Sequence, residues 1–115
     1  MYFPSNLSQE IIKINNQVNQ EVIGYGLERQ KVFITENIIV IIAKNKRIPA
    51  LATLDSRGFS TLEVNYILLT AFKARLKELL EKQFNFKIIT ILKDYDVQTE
   101  SAGTIIILQE PIKTI

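Results

Sequence analysis

The sequence predicts an α+β domain of order α-β-β-α-β-β, folded as a four-stranded, mostly antiparallel sheet with two helices on one face. Three observations carry this. Apolar residues recur at helical spacing near the N-terminus, a longer helical stretch fills the middle, and β-rich runs follow each of them in pairs. The chain has 115 residues, the length of one domain, and its 47% hydrophobic content is enough for a packed core.

From the N-terminus, Leu7, Ile11, Ile14, Val18 and Val22 recur in steps of 4, 3, 4 and 4. That is one stripe of a helix over about 7–23, starting near Ser5 to Ser8. Asn15, Asn16, Gln17, Asn19 and Gln20 fill its other face, and Gly24 with Gly26 supplies its stop. Gln30 to Thr35 alternates with the period of a strand, over about 30–35, and Glu36-Asn37 is a tight turn. The run Ile38 to Lys44 is apolar on both faces, as suits a central strand over 38–44. Asn45 to Gly58 has no convincing period and reads as a loop with about one helical turn.

Ser60-Thr61-Leu62-Glu63 fits the capping box, in which two side chains satisfy each other's free backbone N–H groups, with Phe59 and Val64 placed as a hydrophobic staple. The second helix extends over about 61–83 and ends at Asn85. Leu62, Tyr66, Leu69, Phe72, Leu76, Leu79 and Leu80 form its buried face, and the pairs Lys77/Glu81 and Glu78/Lys82 mark the solvent side. Strands over about 86–93 and 104–109 complete the order, joined by a polar hairpin connection from Asp94 to Gly103.

Composition excludes whole chemistries. Without His, Cys or Trp there is no imidazole base, no thiolate and no nitrogen–sulfur metal site, so neither cofactor nor metal is expected. Lys and Arg exceed Asp and Glu by 14 − 12 = +2, which gives nucleic-acid binding no support. The longest apolar run, Ile38 to Ala43, falls far short of a transmembrane helix. Met1 to Asn6 lacks the basic and apolar regions of a secretory signal, so the expected location is the cytoplasm.

Two strands, Ile38–Ala43 and Thr104–Leu108, carry apolar side chains on both faces, whereas the helices cover one. The other face exceeds what a monomer normally exposes, and a homodimer joined through the sheet or the first helix is expected.

Few residues stand out as a site. Lys44, Lys46, Arg47 and Arg57 flank one loop and could meet an anionic ligand or acidic partner, although solvated loop charge is the plainer reading. Gly24-Tyr25-Gly26 frees backbone N–H groups for an anion, but phosphate loops place their glycines before a helix and these come after one. Asp94, Asp96 and Glu100 open like a calcium loop, then carry Thr99 and Ile105 where that loop needs Gly and Glu. Ser56 and Ser60 lack a histidine base, and Ser60 is better explained as a helix cap. No catalytic residue is expected.

Gly24-Tyr25-Gly26 after the first helix is followed by a hairpin, a linking loop and a long charged helix. Then come a strand ending in Lys93-Asp94-Tyr95-Asp96, the segment Gln98-Thr99-Glu100-Ser101 and a last apolar strand. In this order the stretch from Gly24 to about Glu110 resembles the MpsC family, small bacterial domains named after the C component of the Na+-translocating membrane-potential-generating system. It departs from the family at Leu27 and Glu28, where the family carries Pro, and at Arg47-Ile48-Pro49-Ala50, where the family has an L-T-P-x-E type of segment. The resemblance implies a soluble, non-enzymatic accessory or regulatory component linked to ion or inorganic-carbon transport, with a membrane transport or signalling protein as its partner. The residues themselves leave a second reading open, a small anionic-ligand or nucleic-acid binding module built on the basic loop 44–57.

Overall fold

Four strands pair antiparallel throughout in the order β2-β3-β5-β4, which puts the two most apolar strands at the centre. The computed structural model describes residues 2–3 and 6–114. In chain order the elements are β1 (Tyr2–Phe3), α1 (Leu7–Val22), β2 (Glu28–Thr35), β3 (Ile38–Lys44), α2 (Pro49–Ser56), α3 (Leu62–Phe84), β4 (Ile88–Asp96), β5 (Ser101–Leu108) and β6 (Lys113–Thr114). Helix α1 lies over β2, α3 lies over β4, and the two helices pack against each other on one face of the sheet. The α+β class and element order expected from the sequence hold, with a short parallel pair, β1 with β6, beside them. Ser5, the earliest start considered for the first helix, lies outside the described residues, as do Met1 and Pro4 of the segment tested for a signal.

One core fills the space between helices and sheet. Leu7, Ile11, Ile14 and Val18 from α1 and Phe72, Leu76 and Leu80 from α3 close over Ile39, Ile41, Ile91 and Ile106. The i, i+3/i+4 stripe of α1 thus meets the period-2 rows of the strands. Asn85 stops α3 by taking the left-handed conformation, at φ 56°.

Several expectations change. The stretch 45–58 holds a true helix, α2, which Pro49 starts by supplying a preset φ and lacking only an N–H that has no partner in a first turn. The capping box does not form: Thr61 is the N-cap, and its hydroxyl donates to Asp55 Oδ1 at 2.7 Å instead of capping the helix. Phe59 is 63% exposed, so no staple closes. Leu62 and Tyr66 are 78% and 70% exposed, because α3 buries core residues only from Phe72 onward. Glu78 pairs with Arg75 at 3.0 Å and Glu81 accepts from the Ile88 N–H at 3.3 Å, in place of the expected Lys partners. The last hairpin is tighter than expected, since β4 continues to Asp96 and β5 begins at Ser101. Asn15 and Asn19, assigned to the face opposite the apolar stripe, are buried.

Among the described residues no helix is long and apolar enough to cross a membrane.

Candidate functional site

Alternation along each strand gives the sheet two faces, and the helices cover one. On the other, register aligns side chains in rows across all four strands: Phe33, Val40, Ile105 and Leu92 in one, and Thr35, Ile38, Ile107 and Thr90 in the next. Phe33 and Leu92 are each 52% exposed, and Ile38, Ile42 and Ile105 are exposed with them. A third row runs Lys31, Ile42, Gly103, Asp94, with a cation on one edge strand and an anion on the other. The face is therefore an apolar centre two to three rows deep, bounded on opposite edges by opposite charges. Water is a poor solvent for such a surface, and a patch of this kind marks an interaction site.

The basic loop leads elsewhere. Arg47, its side chain 9% exposed, donates from Nε to Asp55 Oδ2 at 2.8 Å, from Nη1 to Asn65 Oδ1 at 2.8 Å and from Nη2 to the Thr61 hydroxyl at 2.9 Å. The guanidinium's bonds to Asp55, with the hydrogen bond that the Thr61 hydroxyl donates to it, hold the Asp55 carboxyl below the ordinary carboxylate range. Arg47 thus latches α2 to the start of α3 across the loop between them, and its own N–H donates to Glu100 Oε2 at 2.6 Å. Replacing Arg47 with Ala is expected to unlatch α2, raising amide exchange across Pro49–Ser56 by about tenfold or more while the sheet amides stay protected. Hydrogen–deuterium exchange read by mass spectrometry checks this. Lys44 reaches the Thr99 carbonyl at 3.4 Å, and Lys46 and Arg57 are exposed. The four cations do not converge on one point.

Gly24-Tyr25-Gly26 is a turn, with Gly24 at φ 111°. Three buried or half-buried residues around it hold it. Asn19 Nδ2 donates to the Tyr25 carbonyl at 2.7 Å, Asn16 Oδ1 accepts from the Leu27 N–H at 2.8 Å, and Asn19 and Asn45 bond through both amide groups. A Cβ at position 26 would lie 2.8 Å from Asn16 Oδ1, which accounts for Gly26. Tyr25 and Tyr95 then donate from their hydroxyls to the carbonyls of Lys46 and Asn45, each at 2.7 Å. Burial, with the negative charge of Glu100 nearby, pushes both phenols up, Tyr95 to about 12. The Gly24-Tyr25-Gly26 turn and the basic loop are thus parts of one structural network.

The three carboxylates near the last hairpin go separate ways. Asp96 accepts from the Thr99 hydroxyl at 2.6 Å, Asp94 from the Tyr95 N–H at 2.8 Å, and Glu100 from Arg47. Ser56 donates to the Thr53 carbonyl at 2.9 Å and Ser60 lies 3.5 Å from the Leu62 N–H.

Sequence reasoning missed Lys93. It sits on the helix-covered side of β4, with Nζ 3.9 Å from the centre of the Phe72 ring and donating to Thr104 Oγ1 at 3.2 Å. Removal from water lowers its pKa to about 8. A lysine at an inward position of a strand, between Ile91 and Tyr95, was the signal available in the sequence. The chain matches no family model, and no curated protein or solved structure shows significant similarity to it.

Proposed function

We propose that this chain is a non-enzymatic interaction domain of the cytoplasm that dimerises with a second copy through the open face of its sheet, and that the dimer serves as an accessory or regulatory component for another protein. The observation that supports this is the uncovered apolar face of Phe33, Ile38, Val40, Ile42, Leu92, Ile105 and Ile107. Charge selects the second copy as its occupant. A half-turn about an axis parallel to the strands, between β3 and β5, lays β2 of each chain over the partner's β4. The Phe33–Leu92 row then faces itself in reverse, and Lys31 faces the partner's Asp94 on both edges of the sandwich. Aligned sheet packing of this sort separates sheets by about 10 Å, within reach of a lysine meeting an aspartate.

The exposed residues at the start of α3 are a weaker rival. Leu62 and Tyr66 stand on one side of that helix while Val64 and Ile67 stand on another, so no single broad face results. The role beside ion or inorganic-carbon transport rests on the likeness to the MpsC family and makes a membrane transport or signalling protein the partner to seek. The anionic-ligand reading of loop 44–57 is not favoured, because Arg47 is committed to Asp55, Thr61 and Asn65.

A charge-swap series tests the arrangement. Lys31→Asp and Asp94→Lys are each expected to weaken dimerisation by about fivefold to tenfold, since each sets like charges opposite one another at the rim. The double variant is expected to recover most of the loss. Sedimentation velocity over a concentration series reads all four proteins, and additive losses in the double variant contradict this pairing.

A further inference from the structure

We propose that the cleft beneath the Arg47 loop is a binding site for a short monocarboxylate, its carboxylate seated on the Lys93 ammonium and its alkyl end against Ile48, Leu68 and Leu69. The cleft lies on the helix-covered side of the sheet, between the loop 45–48, the middle of α3 and the end of β4. It is independent of the dimer face, which lies on the opposite side.

Three observations converge on it. First, Lys93 is a cation in a largely apolar wall and the described residues give it no carboxylate at ion-pair distance, whereas Arg47 is matched by Asp55 and Arg75 by Glu21 and Glu78. A buried charge without a partner is unfavourable unless something compensates it, and the Phe72 ring does so only in part. Second, the ammonium has three donors and one of them is used, by Thr104. Third, the free space is about 40 Å³. At roughly 10–15 Å³ for each solvent-sized group, that admits about three such groups, the size of a carboxylate with little besides. A phosphate brings four oxygens and a second charge; of the other cations in the lining, Arg47 is committed to Asp55, Asn65 and Thr61 and Lys46 is exposed, which leaves Lys93 to match one charge. The alkyl end of the ligand would lie against Ile48, Leu68 and Leu69, half-buried hydrocarbon in the lining of the cleft.

The expected chemistry is that of one buried cation reading one anion. The carboxylate replaces the water lost by Lys93, and the site discriminates by charge because a neutral isostere leaves the ammonium unpaired.

Butyrate titrated into the full chain, followed by ¹H–¹⁵N correlation spectra, is the test. Saturable shifts are expected at the amides of Asn45, Arg47, Leu69 and Tyr95, with butyramide binding at least tenfold more weakly. Lys93→Met, which keeps the length and the packing of the side chain, is expected to abolish the butyrate shifts while leaving the rest of the spectrum in place. A readout on the unaltered protein covers the case in which that variant does not fold. Butyrate affinity should fall by about tenfold for each pH unit above the Lys93 pKa of about 8, as the ammonium is lost. Absence of saturable shifts, equal binding of butyramide, or an affinity that is constant from pH 7 to 10 overturns the proposal.

Discussion

Replacing Phe72 with Ala is expected to lower the unfolding free energy by about 3–5 kcal/mol. Phe72 is 1% exposed and is the first residue of α3 to enter the core, so its ring is the outermost member of the helix's buried row with Leu76 and Leu80. Deleting it removes the transfer energy of a whole aromatic side chain and leaves a void that neighbours on rigid strands cannot fill. It also strips the ring from beneath Lys93 Nζ, 3.9 Å away. A domain of this size has about 5–15 kcal/mol in all, so the variant is expected to be marginal at ordinary temperature. Urea unfolding followed by circular dichroism measures the loss. A change below about 1 kcal/mol would mean that α3 is not the principal cover of the sheet.

The second large effect concerns association. Ile105→Asp places a carboxylate at the centre of the open face, in the row between Val40 and Leu92. In an isolated chain the cost is small, because Ile105 is 39% exposed and the new carboxylate keeps its water. In the dimer, the two-fold axis beside β5 brings this row against its own copy, so two carboxylates lose water together without cations. Removing charges from water without partners costs several kcal/mol, which corresponds to a loss of dimer affinity of about a hundredfold or more. The expected result is a folded monomer. Tyr66→Glu, at the start of α3, is expected to leave the dimer intact.

Much of this architecture is legible in local pattern. Leu7, Ile11, Ile14 and Val18 declare α1 by spacing alone, and all four are in the core. The doubly apolar run of β3 reads as a central strand and is one, and the uncovered face of the sheet follows from counting helices, whereas the place of β5 beside β3 does not follow from periodicity. What depends on distant partners is not legible. Asn15 and Asn19 resemble solvent-facing helix residues, yet Asn15 donates to Gln30 and Asn19 bonds Tyr25 and Asn45, residues brought near by the turn after the helix and by the return of the chain through β3. Thr61 has the form of a cap partner, but Asp55 and Arg47 take its hydroxyl once α2 exists. Leu62 and Tyr66 continue the buried stripe of α3 in sequence, and are exposed because the helix enters the core only from Phe72 onward. Lys93 ends the strand expected from the sequence, where its inward position is legible, but that α3 and the Arg47 loop line a cleft with it is seen only in the fold. Periodicity reports which face a residue shares. It does not report where the neighbouring element ends.

The most direct measurement is sedimentation equilibrium of the unaltered protein at tens of micromolar, beside Ile105→Asp at the same concentrations. A dimer for the first and a monomer with an unchanged circular dichroism spectrum for the second is the expected result. A monomer for the unaltered protein, or a dimer that survives Ile105→Asp, contradicts assembly through the open sheet face.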